Sequence, residues 1–190
     1  MAKLIYLMHT SLDGYVEDEQ GNFDWSAPSE EVNTCINEVV SSFGTQLYGR
    51  KMYDSMVYWE AAYAANNHSQ FHLDFAQLWQ ADEKIVYSRT VAEPRSARTR
   101  IEREFDPDMV RRLKADAGHD MSINGPELAA HALRAGLVDE VQMFVHPVIV
   151  GGGKRFFPDG VRSDLQLIEE RAFRNGIIAV RYAIRYAVRG

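Results

Sequence analysis

Hydrophobic and polar positions divide this chain into alternating strand-like and helix-like segments. Lys3 to His9 is almost continuously apolar, as a strand covered on both faces would be. Ser11-Leu12-Asp13-Gly14 breaks the run, and Gly21-Asn22 marks a further turn. Val32, Cys35, Ile36, Val39, Val40 and Phe43 recur at helical spacing, which predicts an amphipathic helix from about Ser29 to Phe43 with Gly44 as its cap. Thr45–Tyr48, Lys84–Tyr87, Met121–Ile123 and Glu140–His146 read as strands, with a weaker one at Arg100–Glu104. Helices are expected over Lys51–Met56, over Gln70–Gln80, from Asp106-Pro107 to Gly118, and from Pro126 to Ala135 ahead of Gly136. The stretch Tyr58–Asn67 fits neither period. Leu165–Phe173 and Ile177–Val188 flank Arg174-Asn175-Gly176, a hairpin signal. Along the last strand Ile178, Val180, Tyr182, Ile184, Tyr186 and Val188 alternate with Ala and Arg, which predicts one buried face. Strands alternating with helices and ending in a hairpin imply one α/β domain over residues 1–190: a three-layer α/β/α stack around a mixed, mostly parallel sheet. Residues 17–24, 60–69 and 90–100 look mobile.

Composition narrows the function. At 190 residues and 46% hydrophobic the chain can bury a substantial core, and its net charge of -6 argues against a nucleic-acid binder. One cysteine, Cys35, permits neither an internal disulfide nor a Cys-rich metal motif, so no metal site is expected. The apolar N-terminus is too short for a signal peptide, and no stretch approaches the ~20 residues of a membrane span. A cytoplasmic protein is the expectation.

Three loops then stand out. Gly49-Arg50-Lys51, Ser88-Arg89-Thr90 and Asn124-Gly125-Pro126-Glu127 each follow a strand, and the first and third enter helices. Such turns aim unpaired N–H groups and the positive helix end at an anion. With several arginines in loops of an acidic chain, they point to a phosphate-bearing cofactor, although each also reads as an ordinary helix cap or a solvated charge. Gly151-Gly152-Gly153, soon after the Glu140–His146 strand, implies close backbone approach, to a ligand or to another segment.

Taken in order, these motifs resemble the dihydrofolate reductase-like fold, in the branch that includes the reductase domain of bifunctional riboflavin-biosynthesis proteins. Ser11-Leu12-Asp13-Gly14, Gly49-Arg50-Lys51-Met52-Tyr53, Tyr87-Ser88-Arg89-Thr90, Ile123-Asn124-Gly125-Pro126-Glu127-Leu128 and Leu137-Val138-Asp139-Glu140 carry the likeness. The most specific motif runs from His146-Pro147 through the three glycines to Phe156-Phe157. The resemblance implies an NADPH-dependent reductase and a homodimer. It would place Gly49, Arg50 and Lys51 near the cofactor's phosphates and Ser88 and Arg89 at the adenosine 2′-phosphate. Asn124, Gly125, Glu127 and Leu128 would line the pyrophosphate turn, with Gly152 beside it.

The chain also departs from that pattern. Asn124 replaces the first of two glycines, and Met52 stands where a threonine is usual. The inward stripe of the first helix lacks the carboxylate of true dihydrofolate reductases, and the motifs of a zinc deaminase half are absent. The expected substrate is a small pterin-like or pyrimidine-like heterocycle. Asp13 and Asp24 are the proton-donor candidates, though Asp13 equally suits a turn before Gly14. Trp25, Tyr53 and Trp59 are candidates to stack on the substrate. His9 and His146 read as core histidines and Cys35 as packing. The alternative to a reductase is a non-catalytic ligand-binding module that keeps the fold.

Overall fold

A single eight-stranded sheet organises the computed structural model, which describes residues 1–61 and 69–186. In chain order its strands are β1 (Leu4–Ser11), β3 (Phe43–Gly49), β4 (Glu83–Tyr87), β5 (Thr99–Glu102), β6 (Asp120–Asn124), β7 (Glu140–His146), β9 (Asp164–Ala172) and β10 (Ile178–Arg185). A separate ribbon pairs β2 (Tyr15–Glu17) with β8 (Lys154–Arg155). The spatial order is β5-β4-β3-β6-β1-β7-β10-β9, parallel from β5 to β7, with β10 antiparallel to both of its neighbours. The helices are α1 (Glu30–Val40), α2 (Arg50–Met56), α3 (Gln70–Ala81), α4 (Pro107–Asp116) and α5 (Pro126–Arg134). The expected α/β/α architecture is present. Among the described residues no helix is long and apolar enough to cross a membrane.

The two faces of β1 serve two cores. Leu4 and Tyr6 join Val110 of α4 and Leu128, Ala129 and Ala132 of α5. Ile5 and Leu7 face the other way, onto Val32, Cys35, Ile36 and Val40 of α1. A third cluster buries Tyr48, Tyr53, Trp79 and Val86 under α2 and α3. Burial on both faces explains why the parallel strands read as apolar runs.

Several boundaries moved for identifiable reasons. Helix α1 stops at Val40, and Phe43 opens β3 instead of extending the helical stripe. The hydroxyls of Ser41 and Ser42 donate to the carbonyls of Glu38 and Val39, both at 2.7 Å, and end the helix without glycine. Gly44 is needed elsewhere, because a Cβ there would sit 3.0 Å from that of His119. Ser11 and Thr10 extend β1 beyond His9, since Ser11 still pairs with His146 on β7. The last strand does not bury one face throughout. Ala179 packs under α1 and Ile184 on the opposite core, while Ile178 is exposed. A bulge at Arg181/Tyr182 accompanies this change, and twist carries β10 from one helix layer to the other. Val188 and much of 60–69 fall outside the described residues. Loop 17–24 is braced by the Asp18 carboxylate, which accepts from the N–H groups of Gln20 and Asn22 at 2.9 and 2.8 Å. In the 90–100 loop the N–H groups of Thr90 and Val91 donate to Ser88 Oγ, that of Arg95 to the Tyr53 hydroxyl and that of Ala97 to Glu60 Oε1.

One buried network carries a stability prediction. Gln46 donates to Asp82 Oδ2 at 2.6 Å, Tyr48 donates to Gln46, and Trp79 Nε1 donates to the Tyr48 hydroxyl at 3.1 Å. Lys84, also buried, donates to the carbonyls of Trp79 and Asp82. Burial pushes the Asp82 carboxyl up to about 6, against Gln46 and the nearby cations, which pull it down. A folded-state pKa above the unfolded value means stability that is full below about pH 4 and lost as pH rises through 6. The ceiling on that loss is about 3 kcal/mol for two pKa units. D82N keeps an oxygen for Gln46 and removes the charge, but it also removes one anion near Lys84. A gain of ~1–2 kcal/mol at pH 7.5, vanishing near pH 4, is expected from urea unfolding.

Candidate active site

Register brings the three loops together. Gly49 pairs with Tyr87 across β3 and β4, and Tyr48 pairs with Asn124 across β3 and β6. Residues 50, 88 and 125 therefore leave the same end of three adjacent parallel strands. This is the carboxyl end, where open α/β sheets bind ligands. Gly49 caps α2 and lies beside α5, where a Cβ on it would make an ordinary 3.7 Å contact with Leu128 Cβ. Gly125 caps α5 at φ +98°, a left-handed conformation that glycine tolerates, with Met52 against it. Asn124 is buried and donates to Ser122 Oγ at 2.9 Å, which fixes the strand end below the turn.

The cations of this rim are paired with carboxylates of the same chain. Arg50 donates to Asp54 at 3.0 Å, and Arg95 binds the other oxygen of Asp54. Arg89 meets Glu104 at 2.9 Å, with both side chains about three-quarters exposed. Lys51 stands 4.0 Å from Glu17. Lys154 binds Glu127 at 2.7 Å and Glu17 at 3.1 Å, and the Lys154 bond holds the Glu127 carboxyl below its ordinary range. Exposed pairs of this kind are worth at most about 1 kcal/mol, so a phosphate can displace them. Ser88 is buried, and its hydroxyl oxygen accepts from the N–H groups of Thr90 and Val91 at 3.2 and 3.1 Å, shaping the turn that carries Arg89. Exposed, weakly held cations beside a helix start fit a phosphate-bearing cofactor.

Other expected site residues have surroundings that do not suit the roles expected of them. Asp13 is not placed as a proton donor. Its carboxylate accepts from Val150 N–H at 3.1 Å and Gly151 N–H at 2.8 Å. Hydrogen bonding, first from Ser11 and then from these amides, pulls its pKa down to about 2. It is an ionised latch between the β1–β2 turn and the glycine loop. Tyr53 offers no face to a ligand: it is fully buried, with its hydroxyl between Arg95 N–H at 2.8 Å and Ser96 Oγ at 2.9 Å. Gly152 sits beneath Glu19, and Gly153 packs on the backbone of Glu17 and Asp18, so this loop's close approach is to β2. Trp59 packs edge-on against Phe75 at 4.9 Å and lies near His72, which engages its ring within the helical layer. Asp24 opens a short 3-10 turn, Asp24–Ser26, and is exposed. D13N should loosen the glycine loop at neutral pH by weakening two acceptors, seen as faster amide hydrogen exchange at Val150 and Gly151. Protonation should loosen the wild-type latch only as pH falls through about 2.

Trp25, on that same turn, does reach the sheet. Its ring meets His146 edge-on at 5.7 Å, and its Nε1 is buried without a partner among the described residues. His146 in turn bonds His9, Nε2 to Nδ1, at 2.8 Å. This pair is what reading the sequence missed. The available signal was phase: His9 follows Ile5 and Leu7 on the α1 face, where a third apolar residue would continue the stripe. Among the described residues no group of three or more His, Cys, Asp or Glu is arranged to hold a metal.

Comparison with known proteins places the chain in a family. Residues 2–179 match the model of the RibD C-terminal domain. The chain belongs to that family. An uncharacterized protein of Bacillus subtilis (strain 168), YyaP, is 28% identical over 182 residues, covering 95% of this chain and 94% of that protein. A Shewanella sp. PV-4 protein provisionally described as a riboflavin biosynthesis protein superposes with a TM-score of 0.75 at 21% identity, over 98% of this chain and 100% of the other. A pyrimidine reductase-like protein from Corynebacterium diphtheriae gives a TM-score of 0.69 at 14% identity, over 98% and 93%. The bifunctional deaminase/reductase of Thermotoga maritima gives 0.66 at 14% identity, over 96% of this chain and 56% of that one. At these identities the likeness concerns the fold.

Proposed function

We propose that this protein is an NADPH-dependent reductase of a small pyrimidine-like or pterin-like heterocycle. The observation that carries the reading is the convergence of Arg50, Arg89 and the Gly125 helix start at the carboxyl ends of β3, β4 and β6. Membership of the RibD C-terminal domain family and the fold of the pyrimidine reductase-like protein support it. NADPH would supply the hydride. This chain's residues would hold its anionic parts with Arg50, Lys51, Arg89 and the α5 N-terminus, and would present the nicotinamide end toward Ser11–Gly14. The substrate would lie between α1 and the sheet, against Trp25. The expected location is the cytoplasm, where such a cofactor is kept reduced.

A second copy of the chain is the partner we propose. Every residue of β9 is exposed although it includes Leu165, Leu167 and Ile168, and Ile178 beside it is exposed too. An open apolar edge strand invites pairing. Tyr186, expected at that contact, instead donates to the Val138 carbonyl at 3.0 Å within its own chain.

Fluorescence titration with NADPH tests the reading. Saturable binding below millimolar NADPH, followed by oxidation with a member of a pterin and aminopyrimidine panel, is the expected result. Binding of panel compounds without any NADPH oxidation would favour the non-catalytic module.

A further inference from the structure

His9 and His146 stand at the carboxyl ends of β1 and β7, on the α1 face, where the proposed substrate lies. They bond each other at 2.8 Å, and Phe144 stacks on His9 at 5.3 Å. No acid faces them from α1: its buried residues are Val32, Cys35, Ile36 and Val40, while Glu30 and Glu31 are exposed in its first turn. Asp24, on the turn with Trp25, is exposed as well. His146 is almost fully buried, whereas His9 is only half-buried, and its Nε2 has no partner among the described residues. Burial, together with the neighbouring His146, pulls the His9 pKa down to about 3, and burial lowers that of His146. Both rings are therefore neutral at pH 7 and share one hydrogen between Nδ1 and Nε2.

A neutral pair of this kind has two states. In one, His146 Nε2–H donates to His9 Nδ1, and His9 carries its other hydrogen outward on Nε2. In the other, His9 Nδ1–H donates to His146 Nε2, so His9 Nε2 is bare and His146 Nδ1 carries the hydrogen. Moving the shared proton exchanges donor for acceptor at both outer nitrogens.

We propose that His9 and His146 form a neutral proton relay that supplies the proton accompanying hydride transfer to the substrate. The inference rests on the reductase reading above. NADPH, when bound, would supply the hydride, and with it the electron pair, to the carbon of a substrate C=N or C=O bond. The heteroatom takes a proton from His9 Nε2, the shared proton passes from His146 Nε2 to His9 Nδ1, and His146 Nδ1 is reprotonated by a solvent acid, hydronium or the buffer's conjugate acid, which leaves as water or buffer base. One proton enters, one leaves, and neither ring becomes charged. The relay stands where the first helix lacks an acid, and the unpartnered Trp25 Nε1–H beside it is a donor for the same heterocycle.

The test uses the full chain with 15N-labelled histidine. Long-range 1H–15N spectra from pH 4.5 to 8 should show His9 and His146 neutral at pH 7, with nitrogen shifts averaged between the two tautomers. A fixed tautomer, or an imidazolium at either residue at pH 7, would overturn the relay. H9N and H146Q each keep a polar group at the shared position but cannot pass a proton. Each should lower kcat with the best panel substrate about 100-fold or more, abolish the solvent deuterium isotope effect, and leave NADPH affinity within two-fold. Undiminished kcat in either variant also overturns the proposal. Failure of the reductase reading shows separately, as absence of NADPH binding by the wild type, and the spectra need no substrate.

Discussion

Gly153→Ala is expected to cost about 3 kcal/mol or more of stability and to open the β2–β8 ribbon. Gly153 sits at φ +126°, and a Cβ there would lie 2.1 Å from the Glu17 carbonyl oxygen, 2.6 Å from Asp18 C and 2.7 Å from Asp18 Cα. All three atoms are backbone, so no side chain can swing away. The strain of the left-handed conformation alone is about 1–2 kcal/mol, and relieving the clash requires Glu17 to leave Lys154. The damage should spread. Phe156 follows β8, is almost fully buried, stacks on Tyr6 at 4.1 Å and accepts that tyrosine's hydroxyl hydrogen at 3.1 Å. Two other glycines are controls. Gly151 has φ +80° with open space around it, so G151A should show only the conformational cost of about 1 kcal/mol. Gly118 has neither positive φ nor a close neighbour, so G118A should be neutral. Equal urea midpoints for the three variants would contradict this account.

The second large effect is on cofactor choice. R89A is expected to raise the Kd for NADPH about 10- to 100-fold and to leave that for NADH unchanged. Arg89 leaves the end of β4 on a turn shaped by Ser88, and only Glu104 holds its guanidinium among the described residues. On the proposed reading, a dianionic 2′-phosphate would outcompete one exposed carboxylate and take the guanidinium's planar fork in bidentate fashion. E104Q should therefore tighten NADPH binding a few-fold by releasing Arg89, and raising salt should weaken NADPH more than NADH. Parallel fluorescence titrations with both cofactors decide it. Equal losses for NADPH and NADH in R89A would remove Arg89 from the 2′-phosphate.

How legible the molecule was in its sequence depends on the range of the interaction. Helix α5 was read almost to its ends because its signals are local: Pro126 at the start and Gly136 at φ +66° after the end. Strand β7 was read to the residue because both faces are covered. The ribbon of β2 and β8 was not seen, because strands of three and two residues carry no measurable period and exist by pairing with each other. Asp13-Gly14 looked equally like a turn and an acid. Which of these it is depends on Val150 and Gly151, more than a hundred residues away in sequence. Tyr53 and Trp59 looked like stacking platforms because aromatic residues after a phosphate turn suit that use. Their partners, Ser96 and Phe75 on α3, lie on segments whose packing no local pattern specifies.

By itself the sequence determined the elements, their order and the turns that end them. Those follow from residue-by-residue backbone preference and from the alternation of apolar positions, which act over a few residues. The glycine-bearing turns and the arginines beside them belong to this class, so the turns on which the proposed phosphate site rests could be read directly. Only the tertiary structure decided what each polar side chain does once buried. It made Asp13 a latch, filled the space beside Gly153 with β2 backbone, and brought His9 on β1 within 2.8 Å of His146 on β7. A side chain's chemistry is set by the atoms that replace its water, and in this fold those atoms arrive from distant parts of the chain.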